Sequence, residues 1–238
     1  MPSYYHPDNF EIGTTVVLSA EETAHAIRVM RLEPGEHLTL LNGRGDRAEA
    51  TLLPCESTKR MRQATCRINS MESVPRPSPA IVLYVAPPRN KNMDVVLKSA
   101  TELGVVKIVP IICRYAVSKP ESEPPATWTH ILVTAMKQSG NPWLPVLAPP
   151  TSFEEALASS SEGGFFGAVP RPNEANSVFP MSSTETIALW IGPEGGFAPE
   201  EEQALRDKGL HPLTAGNWIL RVETAVTALL GAILVMKK

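Results

Sequence analysis

Apolar positions fall into two rhythms along the 238-residue chain. Up to about residue 70 the apolar runs are short. Residues 15–18 and 36–41 read as strands, Asn42-Gly43 supplies a hairpin turn, and residues 47–53 return as a third strand. A single helix over 20–31 interrupts them, with Ser19 and Glu22 as a capping box and Pro34-Gly35 beyond its end. One helix among short strands predicts a small β-barrel. From residue 80 onward strand and helix alternate. Residues 80–86 form a continuous apolar run of buried parallel-strand type, followed by a helix over 93–103 stopped by Gly104. A strand over 105–113 follows in spite of Pro110, then a helix around 128–138, with Pro142 and Pro145 behind it. Residues 186–191 are a further strand, and an apolar helix over 225–236 is closed by Lys237 and Lys238. That order predicts an α/β fold with a mainly parallel sheet. Residues 118–126 and 159–177 read as loops, and no internal repeat is present. Three prolines within 73–79 cannot join a sheet or helix, so they divide the chain into 1–74 and 75–238.

Composition narrows the function classes. The chain carries 22 Lys plus Arg against 25 Asp plus Glu, a net charge of −3, which excludes coating of a polyanion by bulk charge but not by a local patch. Such a patch exists: residues 23–67 hold 8 basic and 5 acidic side chains. Cys55, Cys66 and Cys113 are too scattered for a disulfide framework, and no CxxC or His-rich spacing suggests a metal site. The N-terminus has neither a basic nor an apolar leader region, and the longest apolar stretch, 225–236, is far short of the ~20 residues that span a bilayer. A cytoplasmic location away from the membrane is expected.

Two glycine loops carry the candidate chemistry. Ile191-Gly-Pro-Glu-Gly-Gly-Phe197 follows the strongest strand and precedes a helix that begins with Pro199 and Glu200 to Glu202 and ends at Gly209. Three glycines after a parallel strand let a ligand approach the backbone closely. The loop is neither GxGxxG nor a P-loop, which argues against a nucleotide hydrolase. Its acidic helix start disfavours a phosphate and suits a cofactor bearing positive charge. The second loop runs from Leu213 through Gly216 to Ala225, and Arg221 and Glu223 are expected there as a half-buried pair.

These residues resemble a known family. IGPEGGF at 191–197, followed by ILRVETA at 219–225, is similar to the RsmE-type small-subunit ribosomal RNA uridine-N3 methyltransferases of the SPOUT class. His25-x-x-Arg28-Val-Met-Arg31 with Pro34-Gly35, Asn42-Gly43, Lys98-x-x-x-Glu102-Leu-Gly-Val105, an Ile-x-Pro step at 108–110 and Gln138-Ser139 extend the match over about 4–235. The resemblance implies a PUA-like β-barrel followed by a SPOUT-type α/β domain with a C-terminal trefoil knot, and a homodimer. It implies S-adenosylmethionine as cofactor and 16S rRNA, within the small ribosomal subunit, as substrate. By position, the cofactor would be held by Ile191, Gly192, Pro193, Glu194, Gly195 and Gly196, and by Leu213, Thr214, Ala215, Gly216, Ile219 and Leu220. Val169, beside Pro170, would supply a third loop.

A uridine N3 is a weak acid and a poor nucleophile until its proton leaves, so a base or an anion-stabilising cation is needed. The expected catalytic groups are Arg221 for the anion and Glu223 or Glu194 to orient it or take the proton. RNA would be gripped by His25, Arg28 and Arg31, at three-residue spacing near one helix face, and by Arg44 and Arg47, with Lys59, Arg60 and Arg62 extending the patch. Lys98 and Gln138, within the matching motifs, are added to the RNA contacts. The chain departs from the family twice. Asn141 and its neighbours follow Gln138-Ser139 where an arginine is usual, and Trp218 stands before ILR where a basic residue is usual. An RNA-binding homologue without activity, or one with a different RNA target, therefore stays open as the alternative.

Overall fold

The computed structural model describes residues 2–54, 63–89, 92–116, 122–160, 163–170 and 186–236. Lys59, Arg60, Arg62, Cys55, Lys237 and Lys238 lie outside the described residues. The chain folds into two compact units, Met1–Arg76 with Val133–Leu144, and Pro77–Leu132 with Pro145–Lys238.

In the first unit β1 (Ser3–Tyr5), β2 (Thr15–Val17), β3 (His37–Leu41), β4 (Asp46–Leu52) and β5 (Thr65–Ser73) form one sheet in the order β1-β3-β4-β5-β2. The β1–β3 pair is parallel and the others antiparallel. Alternation places Leu38, Leu40, Ala48, Ala50, Cys66 and Ile68 in a core shared with Tyr4, Phe10 and Leu18. Gly43 (φ 74°) and Gly45 (φ 101°) make the turn between β3 and β4. A side chain at Gly45 would strike the ring of Trp143, whose indole N–H donates to the carbonyl of Val74 at 3.1 Å.

The helix expected over 20–31 is shorter. Helix α1 spans Ala20–Ala24 and passes into a π-turn, His25–Val29, closed by Met30 N–H to the His25 carbonyl at 2.9 Å. Arg31 then adopts a left-handed backbone, φ 55°. The wider π-turn breaks the three-residue facing on which a common row of His25, Arg28 and Arg31 depended. Only half of the expected capping box forms. Ser19 Oγ accepts from Glu22 N–H at 3.1 Å, but the Glu22 carboxylate is buried and pairs with Lys137 Nζ at 2.6 Å.

The second unit is a seven-stranded parallel sheet flanked by helices. Its strands are β6 (Ala80–Val85), β7 (Lys107–Ile112), β8 (Val146–Leu147), β9 (Thr151–Ser152), β10 (Gly163–Gly167), β11 (Thr186–Ile191) and β12 (His211–Leu213). The order is β12-β10-β11-β6-β7-β8, with β9 also paired to β7. At Pro110 the neighbour of β7 changes from β8 to β9, so the missing N–H falls at a break in the ladder. Its helices are α2 (Asn92–Glu102), α4 (Phe153–Ser159), α5 (Pro199–Asp207) and α6 (Val222–Met236); α3 (Ala126–Ser139) begins here and ends among the residues grouped with the first unit. β6 and β11 are apolar on both faces. On one face Tyr84 stacks on Trp190 at 4.0 Å, with Phe153, Phe166 and Leu205 around them. α6 packs on β11, and α2 against α6.

Strand β10 lies inside the stretch read as a loop. Its Gly-Gly-Phe-Phe-Gly sequence carries loop signals, yet Phe165 and Phe166 are fully buried and the strand sits between β11 and β12. No helix is long and apolar enough to cross a membrane among the described residues.

Candidate functional site

Strands β10, β11 and β12 run parallel, so Gly167, Ile191 and Leu213 end at one edge of the sheet. Loops leaving that edge enclose a pocket, the usual ligand position in an open parallel sheet. One wall is Gly167, Ala168, Val169 and Pro170; the second is Ile191, Gly192, Pro193, Glu194 and Gly196; the third is Leu213, Thr214, Ala215, Trp218, Ile219 and Leu220. Val222, Ala225 and Leu229 of α6 complete it.

The backbone is drawn close at this edge. A side chain at Gly192 would press on Phe197 N at 3.2 Å, and one at Gly167 would meet Ile191 Cδ1 at 3.0 Å. Gly196 has φ 76° and folds the loop back so that its N–H reaches the Pro193 carbonyl at 2.8 Å. Two carboxylates clasp this loop to its neighbours. Glu194 Oε1 accepts the Arg89 N–H at 3.1 Å, beyond the end of β6. Buried Glu201 accepts the N–H of Arg114 and that of Ala198, each at 2.8 Å. Glu200 faces Arg114 at 3.4 Å and Glu202 pairs with Arg206 at 2.8 Å. None of the three glutamates that open α5 borders the pocket, so among the described residues its acidic character rests on Glu194. Burial, with Glu201 and Glu154 nearby, pushes the Cys113 thiol far above its usual range, so Cys113 stays a neutral thiol under the loop.

The pocket brings together most of the residues expected at the cofactor: Ile191, Gly192, Pro193, Glu194, Gly196, Leu213, Thr214, Ala215, Ile219, Leu220 and Val169. Gly195 and Gly216 do not line it. Gly195 lies against Tyr115 and Gly216 (φ 81°) shapes the turn before Trp218. Arg221 is exposed, Glu223 half-buried in the first turn of α6, and no ion pair joins them, so the half-buried pair does not form. Sequence reasoning missed the α6 wall and the Glu201 clasp. The alternation of buried positions in α6 carries the first signal, but nothing local to Glu201 announces a partner 87 positions away.

The expected RNA contacts meet different environments. Arg28 and Arg31 are exposed. His25 is half-buried: its ring lies 5.6 Å from that of Tyr4, and its Nδ1 is buried without a partner among the described residues. Arg44 is occupied with the Pro7 carbonyl and Asn9, and Arg47 with Glu72 at 3.0 Å. Lys98 is exposed on α2 and Gln138 on α3.

Such a pocket suits a cofactor that combines a flat ring with a positive centre: apolar walls for the ring, close backbone for its polar edge, and the Glu194 carboxylate for the charge. Comparison with known proteins agrees. Residues 75–234 match the RNA methyltransferase domain family and residues 18–54 the RNA methyltransferase PUA domain. The ribosomal RNA small subunit methyltransferase E of Aquifex aeolicus is 30% identical over 93% of this chain and 95% of its own. That of Synechocystis is 28% identical over 93% and 73%. Among solved structures, the ribosomal RNA small subunit methyltransferase E of Neisseria gonorrhoeae bound to S-adenosyl methionine superposes with a TM-score of 0.87 at 30% identity, covering 99% of this chain and 98% of that one.

Proposed function

We propose, from the premise that the chain belongs to the RNA methyltransferase family and within it to the ribosomal RNA small subunit methyltransferases E, that it uses S-adenosylmethionine to methylate N3 of one uridine in 16S rRNA. The observation that carries this reading is the pocket formed by three loops at the ends of β10, β11 and β12, lined by glycines and apolar side chains with the carboxylate of Glu194 among them. S-adenosylmethionine supplies an electrophilic methyl group on a positively charged sulfur. Leu213, Ile219, Leu220 and Leu229 would hold it against an apolar wall, and Gly192 and Gly196 would allow the backbone close. Residues 1–74 are assigned to gripping RNA and 75–238 to chemistry, with the active form a homodimer in the cytoplasm. Passage of the C-terminal segment through a trefoil knot belongs to the same reading, supported by the convergence of the three loops.

The chain's own groups do the following. The uridine must arrive unpaired so that its Watson–Crick edge is open. Arg221, exposed at the start of α6, stabilises the negative charge on O2 and O4 as N3 loses its proton. Glu194 is the better placed of the two candidate bases, because it lines the pocket while Glu223 does not. Arg221→Ala is expected to slow turnover by roughly 100- to 1,000-fold with cofactor binding retained. Glu194→Gln is expected to cost more in turnover than Glu223→Gln; the reverse order reassigns the base.

Two measurements test the reading. Calorimetry with the purified protein is expected to show S-adenosylmethionine binding, and its absence would favour an inactive RNA-binding homologue. Mass spectrometry of 16S rRNA from a strain lacking the gene is expected to show loss of one N3-methyluridine. If all methyluridines persist, the substrate assignment fails.

A further inference from the structure

Trp218 borders the cofactor pocket and yet is 80% exposed, more than any other large apolar side chain among the described residues. Ile219 beside it is 72% exposed. Gly216, with φ 81°, turns the chain just before this stretch, and Arg221, three positions on from Trp218, is also exposed. A large aromatic ring left in water at the mouth of a ligand pocket marks a surface that another molecule covers.

The chemistry of the position selects the partner. A lysine or arginine here would hold a phosphate through its positive charge. An indole cannot, having one N–H donor, no positive charge and two flat faces. A flat face takes a nucleobase, whatever its identity, because every base has a π-face. A uridine presented unpaired to the pocket has lost its stacking neighbours, so a replacement surface at the mouth lowers the cost of its extrusion. Arg221 supplies positive charge beside that surface. We infer that Trp218 is a stacking platform for an unpaired base of the RNA strand entering the pocket, replacing by π contact the electrostatic grip of a cation. The inference rests on the reading of the pocket as that of an RNA methyltransferase.

The test uses the full-length protein, wild type and Trp218→Ala, Trp218→Phe and Trp218→Arg, with single-stranded oligouridine and an abasic strand of equal length as probes. Trp218→Ala is expected to weaken oligouridine binding roughly 5- to 150-fold, and Trp218→Phe to recover most of it. The abasic strand is expected to bind wild type and Trp218→Ala alike. Trp218→Arg is expected to bind through charge, steepening the dependence of log affinity on log salt by about 0.7. Equal oligouridine binding by Trp218→Ala and wild type overturns the proposal, and so does an equal loss on the abasic strand. A change of oligomeric state in Trp218→Ala, seen by sedimentation, also overturns it, because the indole would then be a subunit contact. These outcomes are read from strand binding alone, whereas failure of the methyltransferase reading shows as wild type without cofactor binding or rRNA methylation.

Discussion

Three consecutive glutamates open α5, and each meets a different environment. Glu200 is exposed and reaches Arg114, Glu202 pairs along the helix with Arg206, and Glu201 is buried with two backbone N–H donors. Their common charge is not offered to one ligand: Glu200 and Glu202 are paired with arginines and Glu201 has become a strut. Removing the strut leaves two N–H groups without an acceptor. Glu201→Ala is therefore expected to cost about 1–3 kcal/mol in denaturant unfolding, against less than about 0.5 for Glu200→Ala. The described cysteines follow burial in the same way. Burial pushes Cys66 up to about 11, and Cys113 rises as well. Neither is expected to react with iodoacetamide at neutral pH in the folded protein, while both label after denaturation, which peptide mass spectrometry resolves. Tyr4 is pushed up to about 12 by burial and then by Glu22 and Cys66. With folded values raised, the unfolded chain loses these protons first. Stability is expected to be intact below about pH 9 and to fall as the pH climbs to about 12, measurable as a falling melting temperature.

Strands that are apolar on both faces were legible as elements: β6 and β11 match the runs expected from sequence to within a residue. Helix α5 was equally legible, since its Pro199 start and its end before Gly209 are local signals. Strand β10 was not, because its glycines are demanded by a neighbour rather than by a turn. An added side chain at Gly164 would fall on the backbone of Ala188 in β11. Gly164→Ala is expected to destabilise the protein by at least about 1–3 kcal/mol, and to weaken cofactor binding through displacement of Gly167. A thermal scan and calorimetry check both parts; an unchanged melting temperature would contradict the close packing of β10 on β11. The π-turn at 25–29 was equally hidden. No local signal in His-Ala-Ile-Arg-Val marks it, while around it His25 lies against Tyr4 and Glu22 pairs with Lys137.

Across the whole molecule, the proline-rich stretch marks a boundary close to that between the two units, but residues 133–144 group with the first one. Within that unit Lys137 neutralises buried Glu22, and the Trp143 indole donates to the Val74 carbonyl. A fragment of residues 1–76 would bury a carboxylate without its cation. It is expected to lack a cooperative melt by circular dichroism, whereas Glu22→Gln in the same fragment recovers part of it, since unpaired buried charge costs about 3–5 kcal/mol. The sequence alone determined strands β6, β7 and β11, helices α2, α3, α5 and α6, the parallel sheet and the glycine loops, because hydrophobic period, caps and glycine spacing act over a few residues. Tertiary structure alone decided that α6 closes the pocket shared by loops 167–170, 191–196 and 213–220, that Glu201 faces inward, and that Trp218 is exposed at the mouth. These are consequences of strand order and of partners far apart in the chain, and local sequence carries no term for either.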